Sequence, residues 1–394
     1  MLAGGRPEEG NGVTDSQAGD TAVDSEEREQ LRSQLRRLLE RNWGDEQIRE
    51  FADGNKEPGL HAFSILQDSM ALNGIMVVEE QGGLGGGCVE AVIAAEELGA
   101  ALIPSNLVGS SMTTYLLSLA GGPVAEEILL EITGKGRKSA LLWPGNGASW
   151  TLDQISAGVV EGSTVSGEFS FVPEADEGAV FIVPAGRGGE TGFAVVRRNG
   201  DQSATTVSPV PSPDVFRPLS TVVLSSQACE FVPVAADAYT RTVALASILL
   251  AGEMVGGARA CLDRTVDYTS SRKQFGQPIA TFQAVKHRIA DVLVALESSK
   301  ALTYRAADRA DKVVGTSRDE LEYLMLARMA KASASDAFRL AARECVQLHG
   351  GIGFTWENPT HFYLKKWASS SRLYGQPYEL RRQIYRDALA LAAS

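Results

Sequence analysis

Sorted only into apolar and polar positions, the chain falls into stretches of different period. Residues 1 to 24 hold almost no large apolar side chain and are rich in Gly, Glu, Asp and Ser. Such a segment cannot bury enough surface to offset the entropy of ordering it, so an acidic, disordered start is expected. From Ser25 the pattern becomes helical: Leu31, Leu35, Leu38 and Leu39 fall on one face, with Arg and Glu on the other. The spacing predicts further helices over 61–73, 89–100, 107–120 and 123–133, with Gly82 to Gly87 as an irregular loop between two of them.

The period changes near Lys138. Short β-rich runs bounded by Gly, Pro and Asp take over: Ser139 to Trp143, Gly158 to Val165, Glu168 to Val172, Ala179 to Val183, Phe193 to Val196 and Val222 to Leu224. They predict a small antiparallel β-domain over 137–234. Helical periodicity returns over 235–270, 280–311 and 317–349, with a last helix from Tyr378 to Leu391. The expected architecture is α+β: an N-terminal helical domain over 25–136, the β-domain, and a C-terminal four-helix bundle over 235–394.

Composition narrows the functional classes. With 49 acidic against 37 basic residues the net charge is -12, which repels nucleic acid and anionic membrane surfaces, so neither is expected as a partner. Cys88, Cys229, Cys261 and Cys345 are far apart and show no C-x-x-C or metal-ligand spacing. They read as small buried hydrophobes in a reducing compartment, and no metal site is expected. No apolar run approaches membrane-spanning length, and the acidic start does not resemble a signal peptide. The cytoplasm is the expected location.

One stretch carries chemistry. After a long amphipathic run through Leu249, Leu250, Met254, Val255, Leu262 and Val266 comes Ser271-Arg272-Lys273-Gln274-Phe275-Gly276-Gln277-Pro278-Ile279, and a second helical run follows Phe282-Gln283. Gly276 and Pro278 break the period and force a tight turn that holds a guanidinium, an aromatic ring and an amide at fixed distances, a grip for phosphate. About seventy residues on stands Gln347-Leu348-His349-Gly350-Gly351-Ile352-Gly353-Phe354, and near the start Glu79-Glu80-Gln81-Gly82-Gly83 is followed by Glu96-Glu97-Leu98-Gly99.

These three blocks, in this order, resemble the signatures of the acyl-CoA dehydrogenase family. The resemblance implies FAD as cofactor, an acyl-CoA substrate and a flavoprotein of the electron-transfer type as acceptor. In that family the FAD lies at a subunit interface, where one chain's β-domain holds the flavin ring and its neighbour's two C-terminal signatures hold the ADP and pyrophosphate. The cofactor-binding residues so implied are Arg272, Gln274, Phe275, Gln283, Gln347, Gly350 and Gly351. Arg272 would supply a charge-assisted bond to phosphate and the two glycines a close backbone approach.

The family's chemistry also needs a carboxylate base for the weakly acidic α-proton of a thioester. It is a glutamate at one of two places, which fall here on Ala246, with Ser247 where an arginine is expected beside it, and on Tyr374. Neither is acidic, so no catalytic residue is assigned. Tyrosine, with a reference pKa near 10, is a poor base at neutral pH. The flavin-facing segments depart too. Leu142-Trp143-Pro144-Gly145-Asn146-Gly147-Ala148-Ser149 keeps the turn formers and loses the side-chain donors. Ser170 stands where the ring-covering Trp is expected, and Val172 where a hydroxyl near flavin N5 is expected.

The resemblance therefore implies a chain that keeps the half of the FAD site it offers to a neighbour and lacks the half it would use itself. This is similar to the non-catalytic chain of the heteromeric α2β2 enzymes that actinobacteria use on sterol side-chain CoA thioesters. Two alternatives stand beside it. One is a self-sufficient homo-oligomeric dehydrogenase with Glu253 or Tyr374 as an atypical base; the other is a binding or regulatory module without oxidative chemistry.

Overall fold

The computed structural model describes residues 15–143, 158–173, 175, 180–198, 203–312 and 316–393. Six helices come first: α1 (Asp15–Asn42), α2 (Asp45–Ala52), α3 (Glu57–Met70), α4 (Cys88–Ala101), α5 (Leu107–Ala120) and α6 (Gly122–Gly134). Helix α1 begins ten residues before the Ser25 start that the apolar pattern predicts, and residues 1–14 of the expected disordered segment lie outside the described residues. Once the Leu31–Leu39 face is docked, extension toward the amino terminus adds a hydrogen bond per residue without paying for a new nucleus. Short α2 was missed because eight residues give too few turns for a clear period.

Next come β1 (Ser139–Leu141), β2 (Gly158–Glu161), β3 (Thr164–Pro173), β4 (Val180–Arg187), β5 (Glu190–Arg197), β6 (Thr205–Val210), β7 (Leu219–Ala228) and β8 (Glu230–Pro233). They form one sheet in the order β6-β7-β3-β2-β4-β5-β8, with β1 set beside β4. The pairing is mainly antiparallel, but β1 and β2 each run parallel to β4, a feature that alternation within a strand does not encode. The sheet centre is buried on both faces, and period-two geometry divides its side chains between two cores. Val180, Ile182, Phe193 and Val195 join the large helical core, whereas Phe181, Val183, Ala194 and Val196 join a second cluster with Ala140, Leu142, Phe169 and Val172. The β3–β7 register shifts between Phe169 and Val172, where Phe171 has φ +57°. This bulge turns Phe171 outward and Val172 inward.

The C-terminal part comprises α7 (Asp237–Ser271), the strands β9 (Lys273–Gln274) and β10 (Gln277–Pro278), α8 (Gln283–Asp311), α9 (Ser317–His349), α10 (Thr360–Ser370) and α11 (Pro377–Ala393). Helix α9 packs against α7, α8 and α11, making a four-helix bundle that α10 crosses. The fold is thus the expected α+β order of helical domain, sheet domain and helical bundle. Helix α7 corrects one reading: its 35 residues include an apolar window long enough to cross a membrane, contrary to the expectation that no run approaches that length. That window is 83% buried, the mark of a core helix that meets protein on all sides. It crosses α4 so closely that a Cβ on Gly256 would lie 1.8 Å from the Glu96 carbonyl oxygen, and one on Gly99 2.1 Å from that of Glu253.

Candidate functional site: an exposed corner and a sealed interior

The break after α7 is a two-residue β-hairpin. Gln274 pairs with Gln277 and Lys273 with Pro278, while Phe275 and Gly276 have φ of +51° and +81°, a type I′ turn in outline. Gly276 adopts this conformation without strain; Phe275, with a Cβ, does not. Its ring is also 93% exposed, so the chain forgoes roughly 1.5–3 kcal/mol of burial for that side chain. Strain and exposure together at one residue are typical of a contact surface. The hairpin is tied at its base by the Arg272 amide, which donates to Tyr268 O at 2.8 Å, and by the Ile279 amide, which donates to Arg272 O at 2.9 Å. The Arg272 side chain forms no salt bridge among the described residues and is exposed.

The second signature ends α9. Gly350 has φ +63°, and a Cβ built on either Gly350 or Gly351 would meet nothing within 4 Å, so both backbones present open surface. The two signatures sit at the same end of the bundle because Tyr268, four residues before Arg272, stacks on His349, next to Gly350, at a ring separation of 4.4 Å. His349 is buried, and its Nδ1 donates to Cys345 O at 2.7 Å, so its role is to hold this corner. Arg272, Gln274, Phe275, Gln283, Gln347, Gly350 and Gly351 are all exposed.

The positions where the family's base and ring contacts fall are placed otherwise. Ala246 is 0% and Tyr374 4% exposed, and Ser247 is buried with its hydroxyl donating to Val243 O. Leu142 and Val172 are core side chains of the sheet. Pro144 to Ser149 lie outside the described residues.

Glu253, the atypical base considered above, is 6% exposed and engaged at both oxygens. Ser370 Oγ donates to Oε1 at 2.8 Å, Arg217 pairs with Oε2, and Lys366 Nζ lies 3.6 Å from Oε2. Burial alone would raise its pKa, but the charges of Arg217 and Lys366 with the Ser370 bond outweigh burial and hold it below the usual carboxylate range. A carboxylate so satisfied is a weak proton acceptor, and this geometry is that of a structural ion cluster.

Glu96 and Glu97 are likewise buried and tied, not exposed to a ligand. Arg32 Nη1 reaches Glu97 at 2.6 Å, Arg259 Nη2 reaches it at 2.7 Å, and Tyr304 Oη donates to Glu96 at 2.6 Å, which fastens α1 and α8 to the α4–α7 crossing. Glu79 and Glu80 lie on an exposed single turn, and neither forms a salt bridge among the described residues. The loop carrying Tyr374 is held from below by buried Lys331, whose Nζ donates to Ser371 O at 2.8 Å and Gly375 O at 2.5 Å. Burial pushes the Lys331 pKa down to about 7, against the opposing charge of Glu379.

Arg217, Lys366, Ser370 and Lys331 carry no motif that sequence reasoning would single out. The only prior signal was generic: a carboxylate in an apolar helix needs a counter-charge.

Residues 237–389 match the family model for the acyl-CoA dehydrogenase C-terminal domain, and residues 25–131 that for the N-terminal domain. The chain belongs to the acyl-CoA dehydrogenase family, a family of FAD-dependent oxidoreductases. Among curated relatives it is similar to acyl-CoA dehydrogenase IpdE2 of Mycolicibacterium smegmatis, 29% identical over 367 residues that span 91% of this chain and 98% of the relative. IpdE2 of Mycobacterium tuberculosis is 30% identical over 359 residues, spanning 91% and 96%. The fold matches the Tcur3481-Tcur3483 steroid ACAD at TM-score 0.82 and 21% identity, over 94% of this chain and 99% of that one. It also matches the ChsE4-ChsE5 complex from Mycobacterium tuberculosis at 0.80 and 20%, over 92% and 97%.

The exposed corner fits the ADP end of FAD: a guanidinium without a salt bridge among the described residues, an outward aromatic ring and two glycine backbones with open space above them. Leu142 and Val172, set in the apolar core of the sheet, do not fit as hydrogen-bond donors to a flavin ring.

Proposed function

We propose that this chain is the FAD-site-completing, non-catalytic subunit of a heteromeric acyl-CoA dehydrogenase, assembled as α2β2 with a paralogous chain that supplies the glutamate base and the flavin-holding strands. One observation carries this reading: the seven residues of the two C-terminal signatures are exposed, while Ala246, Tyr374, Leu142 and Val172, at the positions for base and ring, are apolar or buried. A side chain meant for a neighbouring subunit must face outward, and one that no longer serves chemistry is free to become core.

Bound FAD supplies the hydride acceptor for α,β-dehydrogenation of an acyl-CoA thioester. This chain's own contribution is to hold the cofactor's phosphates: Arg272 by a charge-assisted hydrogen bond, Gly350 and Gly351 by backbone approach, and Gln274, Phe275, Gln283 and Gln347 around them. The likeness to the Tcur3481-Tcur3483 steroid ACAD and to the ChsE4-ChsE5 complex supports the heteromeric arrangement, and the first of them supports a steroid-derived CoA thioester as substrate. We place the complex in the cytoplasm, with an electron-transferring flavoprotein as acceptor.

The test is co-expression with a paralogue that carries the glutamate, followed by measurement of bound FAD and turnover for the pair and for each chain alone. The pair should hold FAD and turn over, and this chain alone should do neither.

A further inference from the structure

Two thiols lie beneath the exposed corner and take no part in the function proposed above. Helices α7 and α9 run side by side toward that corner, with Gly257 meeting Phe338 and, further on, Tyr268 meeting His349. The approach is close, since a Cβ on Gly257 would lie 2.5 Å from Phe338 Cζ. Between these two contacts Cys261 of α7 meets Cys345 of α9, both 0% exposed and both free thiols. The Cys261 thiol donates a hydrogen bond to the Cys345 sulfur, and His349 Nδ1 lies 3.8 Å from that same sulfur. Packing alone does not ask for a polar pair here, for Ala258, Ala341 and Ala342 are buried nearby on the same two helices.

The pair is asymmetric. The bond from Cys261, with those from His349 and Thr265, outweighs burial and holds the Cys345 pKa below the ordinary thiol value, whereas burial raises that of Cys261. An acidified thiol touching a second thiol is the arrangement in which one sulfur attacks an oxidant and the other resolves the product. The pair is also coupled to the corner by a short chain of contacts. Cys345 touches His349, His349 stacks on Tyr268 at 4.4 Å, and the Tyr268 carbonyl accepts the Arg272 amide at the base of the hairpin at 2.8 Å.

We propose that Cys261 and Cys345 are a redox pair that hydrogen peroxide closes to a disulfide, and that closure loosens the Arg272 hairpin. The Cys345 thiolate attacks one peroxide oxygen and breaks the O–O bond; the departing hydroxide takes a proton from solvent to become water, leaving a sulfenic acid on Cys345. The Cys261 sulfur then attacks the Cys345 sulfur, the S–O bond breaks, and the Cys261 proton leaves with the hydroxyl as a second water. Two thiols are oxidised and one peroxide is reduced. Closure draws the sulfurs from hydrogen-bond contact to about 2.0 Å and removes the thiolate that faces His349, so the stack on Tyr268 shifts and the hairpin base with it. Both sulfurs are sealed from solvent, so the reaction runs through transient opening of this end of the bundle.

The test uses the full-length chain alone and does not depend on the FAD reading of the corner. After hydrogen peroxide the intact chain should be about 2 Da lighter, and peptide mapping without reductant should join Cys261 to Cys345. Hydrogen exchange over residues 269–280 should become several-fold faster, and dithiothreitol should reverse both changes. Cys261→Ala should show neither the link nor the faster exchange, while Cys229→Ser, at a half-buried thiol outside the pair, should behave as wild type. The mapping needs no variant, so it decides the matter if Cys261→Ala does not fold. Absence of the Cys261–Cys345 link, a link with unchanged exchange over 269–280, or the same acceleration in Cys261→Ala would each overturn the proposal.

Discussion

The corner formed by the β9–β10 hairpin and the Gly350 turn, and the interior where α7 meets α10, are built on opposite principles. At the corner the chain leaves Phe275 almost fully exposed in a left-handed conformation and Arg272 exposed, without an ion pair among the described residues. In the interior Glu253 is answered by Arg217, Lys366 and Ser370, and at the nearby α4–α7 crossing Glu97 is answered by Arg32, Arg36 and Arg259. An enzyme's own catalytic carboxylate is usually poised by partial satisfaction. Here the poised features are on the outside, and the inside has the completeness of a structural core. The same α7 runs between both regions, and on the function proposed above it has given up one half of a shared site while keeping the half it presents to a neighbour.

The largest effect that separates the two regions should come from Glu253. Replacing it by Gln leaves the Arg217 guanidinium buried with its counter-charge removed, a change that typically costs about 3–5 kcal/mol. Chemical denaturation should show that loss, while turnover per folded complex stays near wild type. Because the folded-state pKa of Glu253 is depressed, its contribution is complete above the unfolded carboxylate pKa and is lost as pH falls below about 4.3. Acid unfolding of the Gln variant should therefore be less steep than that of wild type. Loss of turnover with FAD still bound and the fold intact would instead make Glu253 the base.

At the corner the expected pattern is the reverse. Arg272→Ala should leave the melting temperature of this chain almost unchanged and lower the FAD affinity of the assembled pair by about ten- to a hundred-fold, the equivalent of one charge-assisted hydrogen bond. Equilibrium dialysis of FAD against the pair measures it, and unchanged affinity would remove Arg272 from the cofactor grip. A finer probe is Phe275→Gly, which relieves a left-handed conformation that costs an L-residue roughly 1–2 kcal/mol and sacrifices no buried surface. It should raise the stability of the isolated chain slightly and still weaken FAD binding by the pair.

Lys331 gives the gentlest test of the interior. Its pKa, pushed down by burial to about 7, lies below the unfolded value, so the unfolded chain binds more protons and stability should rise as pH goes from 7 toward 10. Lys331→Met should flatten that rise without altering FAD affinity, which urea titrations across this pH range would check.

Legibility from sequence followed the range of the interactions. The hairpin was readable because its causes are local: Gly276 and Pro278 stop a helix within a few residues of Arg272. The four long helices of the bundle were readable from their period over many turns. Helix α10 was not, since Thr360, His361, Phe362 and Tyr363 are weak helix formers, and its place is fixed by packing. The partners of Glu253 lie 36 and 117 residues away, at Arg217 and Ser370, and no window along the chain brings them together. The parallel β2–β4 pairing escaped for the same reason.

The central claim is that the FAD site is split, with this chain holding only the outward half. The most direct measurement is the flavin absorbance of this chain purified alone, set against that of the co-expressed pair. The account predicts a colourless chain and a yellow, active complex, whereas one flavin per chain in the isolated homo-oligomer, with acyl-CoA dehydrogenation activity, would contradict it.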